Sequence, residues 1–112
     1  MKHIIDKDAK TLIPGLILYS SWGYDQTNID FYIVTEVSGT MATLVEIEAP
    51  EKSAGIMFGV KTPTLPVVLK GREIRRKIRE IRRKMRGAYV SLNSYSGAYP
   101  WDGQPKDVSH TH

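Results

Sequence analysis

DFYIVTEVSGTMATLVEIE, the stretch from Asp30 to Glu48, decides the fold. Both of its halves alternate between two rows of side chains, which is the period of a β-strand. In the first half, one row consists of Phe31, Ile33, Thr35 and Val37. The second half places Thr43, Val45 and Ile47 in one row. Because Ser38, Gly39 and Thr40 between the halves are turn residues, the sequence predicts a β-hairpin.

Further short strands are indicated on both sides of this hairpin. GLILY at residues 15–19 is an apolar run, and AYVSLNSY at 88–95 alternates between apolar and polar residues. Pro63 and Pro66 limit residues 65–69 to an edge strand or a loop. Five or six strands separated by Gly and Pro predict a mainly β fold, either a small bent antiparallel sheet or a partly open barrel of SH3-like or OB-type scale. At 112 residues the chain is expected to form one domain, residues 1–112, with a frayed polar tail at 104–112.

A basic internal repeat interrupts the β pattern. REIRRKI is followed directly by REIRRKM across residues 72–85, and Gly71 and Gly87 bracket the segment. Its apolar residues fall at helical spacing, and each Glu precedes a Lys by four positions, which favours helical ion pairs. The repeat therefore predicts one basic amphipathic helix at about 72–86, making the fold α+β, with a long strand hairpin as the alternative.

Charge is concentrated in the same segment. Residues 70–86 contain ten Lys or Arg and two Glu, a local charge of +8, whereas the rest of the chain sums to −4. This asymmetry indicates a polyanion, an acidic protein surface or a second copy of the chain as partner, although a purely solvated face explains it as well. For nucleic-acid or partner binding we select Arg75, Arg76, Lys77, Arg79, Arg82, Arg83, Lys84 and Arg86.

Aromatic residues flank two turns. Trp22 and Tyr24 lie in SSWGYDQTN, and Tyr99 and Trp101 lie in YSGAYPWDG. If the two turns meet, these four residues form a stacking platform beside the cations, as in proteins that hold single strands. The alternative is that the two tryptophans plug the ends of a small core.

Catalytic and metal-binding patterns are weak. Asp25, Asn28 and Asp30 lack the spacing of a calcium loop, and no nucleophile motif or phosphate-binding glycine loop is found. We expect no enzyme, no cofactor and no metal, while an active site assembled from Asp25, Asp30 and Asp102 remains an alternative. The chain has no cysteine and no apolar run of about 20 residues, so the expectations are a reducing cytoplasm and no membrane partner.

Two segments carry a family resemblance. SSWGYDQTN at residues 20–28 and SYSGAYPWDGQP at 94–105, which fits SY-x-x-A-x-x-WDG-x-P, resemble a family of small uncharacterised proteins carried by bacteriophages and plasmids. The resemblance implies an accessory protein of a mobile element in a bacterial cytoplasm, where nucleic acid and host defence machinery are common targets. It also implies that residues 71–78 form a strand that leads to the strand at 88–95, against the predicted helix.

Together these patterns predict a non-enzymatic protein that binds nucleic acid through its basic segment and its aromatic residues. The alternative is an inhibitor or adaptor that binds a host protein complex, such as a defence complex, with self-association of the basic segment as one way to do so.

Overall fold

The computed structural model describes residues 2–23, 26–80, 88–92 and 97–109. Strands dominate this part of the chain, and no residue in it is helical. The strands are β1 Ile17–Trp22, β2 Asn28–Ser38, β3 Met41–Ile47, β4 Glu51–Gly55, β5 Phe58–Lys61, β6 Leu69–Glu80, β7 Ala88–Ser91, β8 Gly97–Pro100 and β9 Lys106–Ser109.

Six of the strands form an antiparallel barrel. They follow the order β1-β2-β3-β6-β7-β8, and β8 pairs with β1 through Leu18 opposite Pro100 and Tyr19 opposite Tyr99, which closes the ring. The interior contains one apolar cluster drawn from several strands and from the segment before β1. Its buried members are Ala9, Leu12, Leu16, Leu18, Val34, Ala42, Leu44, Val90 and Ala98.

A second layer covers one side of the barrel. Strands β4, β5 and β9 form a separate sheet in that order. The outer faces of β1, β2 and β3 contribute to a second apolar cluster that also contains Trp101 and Val108. We call it the outer cluster. Strands β1 to β3 are therefore apolar on both faces, because each face packs on a different cluster.

The predicted hairpin is confirmed. β2 pairs antiparallel with β3, and Gly39 in the turn has φ of 58°, a left-handed conformation that glycine adopts without steric cost. The register shifts between Val34 and Glu36, which marks a β-bulge. Because of the bulge, Val37 packs on the interior cluster together with Val34, rather than sharing a row with Ile33 as the simple alternation predicts.

The predicted basic helix is wrong. Residues 69–80, which include the whole first copy of the repeat, form strand β6, and Leu44 of β3 pairs with Ile74. As a strand, this segment pairs with the free edge of β3 and packs Ile74 on the interior cluster, and these long-range contacts outweigh the small helix preference of the repeat. β6 then pairs with β7, with Ile78 opposite Val90, so the hairpin alternative describes the observed pairing. Residues 81–87 lie outside the described residues.

The predicted frayed tail is wrong for four of its residues. Lys106–Ser109 forms β9, which pairs with β5, and the backbone N–H of Ser109 donates to the carbonyl of Thr27 at 3.1 Å. The side chain of Val108 is buried in the outer cluster, and this apolar contact orders a segment that is otherwise polar. Residues 110–112 lie outside the described residues.

Candidate functional site

Strand β6 sends its two adjacent arginines to opposite faces of the barrel wall, because side chains alternate along a strand. Arg75 lies opposite Thr43 and is exposed. Arg76 lies opposite Ala42, a residue of the interior cluster, and is also exposed. Its Nε donates to the carbonyl of Leu92 at 3.2 Å and its Nη1 to the carbonyl of Arg75 at 2.9 Å. Arg76 is therefore tied to the backbone, while Arg75 faces solvent.

The other selected cations are placed only in part. The backbone of β6 places Lys77 opposite Met41 and Arg79 opposite Tyr89. The structure does not describe the side chains of these two residues. The remaining selected cations lie outside the described residues: Arg82, Arg83, Lys84 and Arg86.

Three tyrosines form a row across the barrel wall beside β6. Tyr19 of β1 pairs with Tyr99 of β8, and their ring centroids are 6.5 Å apart. Tyr99 stacks on Tyr89 of β7, with centroids 5.0 Å apart and planes 15° from parallel. We call Tyr19, Tyr99 and Tyr89 the tyrosine row. Because Tyr89 is paired with Arg79, the row continues at the backbone level into the basic strand.

Neighbouring residues hold the tyrosine row in place. The Tyr89 ring lies over Gly97, where an added Cβ would come within 2.9 Å of Tyr89 Cδ2. Lys106 Nζ sits 4.5 Å from the centroid of the Tyr19 ring, a cation–π contact, and is 3.1 Å from Asp102 Oδ2. The row is thus fixed at both ends by packing and by charge.

Tyr99 is the most accessible member of the row, with 38% of its surface exposed. Burial, followed by the neighbouring Tyr89 and Tyr19, raises the pKa of its hydroxyl. The hydroxyl therefore stays protonated and neutral at physiological pH. It adds no negative charge that would repel a polyanion.

The predicted four-residue platform is not what the structure brings together. Trp101 is 1% exposed, packs edge-on against Phe31 at 5.4 Å, and donates from Nε1 to the carbonyl of Gln104 at 2.7 Å. It is a core residue, as the alternative interpretation held, and its ring cannot stack on a ligand. Trp22 is 49% exposed, but its Nε1 donates to Asp30 Oδ2 at 2.7 Å and it does not belong to the tyrosine row. Tyr24 lies outside the described residues.

A polar group of side chains lies at the end of the barrel where β1 and β3 end and β2 begins. Ser20 is opposite Asp30, and Tyr32 is opposite both Leu18 and Glu46. We call Ser20, Trp22, Asp30, Tyr32 and Glu46 the barrel mouth. All five share the inner face with Leu18 and Leu44, because residues two apart, or directly opposite, lie on one face of a sheet.

Electrostatics sets the protonation of the mouth. Burial raises the pKa of Tyr32 to about 12, and the Asp30 and Glu46 carboxylates add to the shift against the opposing effect of Arg76. Tyr32 is consequently a neutral hydroxyl across the physiological range. Glu46 is 3.5 Å from Lys70 Nζ, a partly exposed ion pair.

An exposed apolar tip lies on the second sheet. The turn between β4 and β5 presents Ile56, 86% exposed, and the adjacent Phe58, 61% exposed. Met57 between them has φ of 68°. We call Ile56, Met57 and Phe58 the hairpin tip. Such a contiguous exposed apolar group is typical of a contact with another protein.

The alternative of a dispersed active site gains no geometric support. Asp30 accepts from Trp22, whereas Asp102 accepts from the backbone N–H of Gln104 at 3.0 Å and pairs with Lys106. The Gln104 hydrogen bond, followed by Lys106, holds the pKa of Asp102 below its usual value, although burial opposes the shift. Asp25 lies outside the described residues. Within the described ranges, no three His, Cys, Asp or Glu residues are grouped as metal ligands, and no helix is long and apolar enough to cross a membrane.

Sequence reasoning missed Tyr19 and Tyr89, although both carried a signal. The alternation of residues 88–95 already places Tyr89 on the face opposite to that of Val90 and Leu92. Tyr19 ends the apolar run at residues 15–19, which was interpreted only as a short strand. The contact of Lys106 with Tyr19 had no local signal, because 87 positions separate the two residues.

Comparison with known proteins finds no matching family model, no significant match among curated proteins and none among solved structures.

Proposed function

We propose that this protein binds nucleic acid on the barrel face that combines strand β6 with the tyrosine row. The observation that carries the proposal is the pairing of Tyr89 with Arg79, which continues a row of three aromatic residues into the most basic strand. Aromatic faces beside cations are the combination that holds single strands, since every base has a π-face and every linkage a negative charge.

The basic strand supplies the phosphate-binding part of this surface. Arg75 is exposed and faces solvent, and the 70–86 segment carries a net charge of +8. Neutralising phosphates with these cations releases counterions, so binding weakens steeply as salt rises.

The resemblance of residues 20–28 and 94–105 to bacteriophage and plasmid proteins supports a proposal for the biological setting. We propose an accessory protein of a mobile element that acts in the cytoplasm of a bacterial host without catalysis. Such a surface suits the single-stranded nucleic-acid intermediates of replication and transfer.

Titration with short single-stranded and double-stranded DNA and RNA at two salt concentrations tests the proposal. We expect tight binding at low salt that weakens at high salt. Replacing Arg75, Arg79, Arg82 and Arg83 by Gln should abolish most of it. The matched control replaces four exposed cations elsewhere by Gln: Lys2, Lys7, Lys10 and Lys52. No binding at low salt, or equal losses in both variants, would contradict the proposal.

The hairpin tip favours a second candidate function, an adaptor or inhibitor that binds a host protein complex. Ile56 and Phe58 are exposed on a sheet separate from the basic strand. Pull-down from a nuclease-treated host lysate, with the wild type beside Ile56→Ser and Phe58→Ser, tests this candidate. A partner captured by the wild type and lost in both variants supports it, and capture of the same proteins by all three forms contradicts it.

A further inference from the structure

The interior of the barrel changes from apolar to polar toward the barrel mouth. At the opposite end, Leu16 precedes β1 and joins Leu12 in the interior cluster. At the mouth, the inner row of β1 continues from Leu18 to Ser20 and Trp22, and β2 begins with Asn28 and Asp30. Mouths of β-barrels are frequent positions for ligand sites.

Ser20 marks the mouth as more than a solvated rim. Its side chain is 0% exposed, and among the described residues its Oγ has no hydrogen-bond partner. Buried hydroxyls are normally satisfied, so an unsatisfied one calls for an explanation. Ser20 lies opposite Asp30 on the inner face, so its hydroxyl belongs to the same polar group as the Asp30 carboxylate.

The chemistry of the mouth selects the kind of ligand. Carboxylates only accept hydrogen bonds, and Asp30 and Glu46 therefore require donors. Asp30 Oδ2 already accepts from Trp22 Nε1, which fixes the orientation of the carboxylate, and Oδ1 is the oxygen that would accept from a ligand. Glu46 is paired with Lys70, so the Asp30 carboxylate supplies the negative charge that disfavours a phosphate at this position, in contrast to the basic strand.

Trp22 provides the apolar part of the site. It is the last residue of β1 and is 49% exposed, so its ring borders the mouth and is accessible from solvent. Tyr19 of the tyrosine row lies on the same strand but on the opposite face of the barrel wall. A strand held by the tyrosine row thus needs to cross only the end of β1 to reach the mouth.

We propose that the barrel mouth binds one unpaired nucleobase that carries an exocyclic amino group, with the ring on Trp22 and the amino group donating to Asp30. Cytosine, adenine and guanine have such a group, and thymine and uracil do not. The Ser20 hydroxyl lies opposite Asp30 on the same face but is fully buried, so it would contact the base only after the side chains over it move. This inference rests on the proposed nucleic-acid function and adds base selectivity to it.

Single-base substitution within a constant oligonucleotide tests the inference. The probes are a deoxythymidine decamer and three versions in which one central base is C, A or G, with affinity measured by fluorescence anisotropy at one low salt concentration. For the wild type we expect at least one substituted strand to bind about fivefold more tightly than the all-thymine strand, the effect of one additional hydrogen bond. Asp30→Asn should reduce this ratio to near one, whereas Asp107→Asn, which removes an exposed carboxylate on β9, should retain it.

Ser20→Ala is a second variant, which remains informative if Asp30→Asn does not fold. It removes a hydroxyl without a partner among the described residues, so the melting temperature should stay equal or rise while the binding ratio falls. A purely structural role for Ser20 predicts the reverse, a lower melting temperature with an unchanged ratio.

The outcomes separate the inference from the proposed function. Equal binding of all four strands, or a ratio that survives both Asp30→Asn and Ser20→Ala, overturns base selection at the mouth and leaves nucleic-acid binding intact. Absence of binding to every strand overturns the proposed function, and the inference with it.

Discussion

Tyr89 stacks on Tyr99 across β7 and β8, with ring centroids 5.0 Å apart and planes only 15° from parallel. The pair arises because the antiparallel pairing of β7 and β8, with Val90 opposite Ala98, brings the two neighbouring residues together and because Gly97 leaves room for the Tyr89 ring. This stacked pair joins β8, the strand that closes the barrel, to β7, which is the neighbour of the basic strand β6. The role of the exposed Tyr99 ring and the packing of the Tyr89 ring on Gly97 can be tested separately.

Replacing Tyr99 by Leu should weaken binding of single-stranded DNA by about 5- to 100-fold, because stacking of one base contributes about 1–3 kcal/mol. Tyr99→Phe keeps the ring and should bind almost as the wild type does. Phe58→Leu is the control, since it removes a ring that is 61% exposed but lies on the second sheet. Unchanged affinity of Tyr99→Leu in equilibrium titrations would exclude Tyr99 from the interface.

Gly97→Ala should displace the Tyr89 ring and weaken binding without removing any tyrosine. The new Cβ would lie 2.9 Å from Tyr89 Cδ2 and 3.2 Å from the carbonyl oxygen of Val90, so the ring has to move. Gly59→Ala is the matched control, because its Cβ would lie 2.8 Å from Glu51 Oε2, a comparably close contact on the second sheet and away from the tyrosine row. Chemical shifts of the tyrosine rings and the affinity should change together in Gly97→Ala only; a shift in the rings with full affinity would contradict the role of Tyr89.

Tyr32 should make the free energy of unfolding depend on alkaline pH. Its pKa is raised from 10.0 to about 12 in the folded protein, so the folded state holds the proton more tightly than the unfolded chain. This contribution is complete below pH 10 and is lost as the pH rises toward 12. Urea unfolding between these limits should show a steeper loss for the wild type than for Tyr32→Phe, and identical slopes would contradict the raised pKa.

Trp101→Ala should lower the free energy of unfolding by about 3–5 kcal/mol, because it removes a fully buried ring from the outer cluster. The exposed Phe58→Ala should change it by less than about 0.5 kcal/mol. Urea denaturation followed by circular dichroism measures both. A small effect of Trp101→Ala would show that Trp101 is not the core residue that its burial indicates.

The aromatic residues show how far the sequence leads toward the site. Tyr99 was selected from its turn and lies in the tyrosine row, but Trp101, two residues away, lies in the core. Both stand among the same polar and small residues, so local composition cannot separate them. The two side chains have different surroundings because Tyr99 lies in a strand whose outer face is open, whereas Trp101 follows that strand and packs on Phe31.

By itself, the sequence determined the β2–β3 hairpin, the mainly β class and the concentration of positive charge, since alternation, turn chemistry and composition are local properties. Only the tertiary structure decided that the first copy of the repeat is a strand, because its pairing with β3 and the packing of Ile74 on the interior cluster are contacts between distant parts of the chain. Barrel closure likewise decided which tyrosines meet: Tyr19 and Tyr99 are 80 positions apart, and only the pairing of β1 with β8 brings them together.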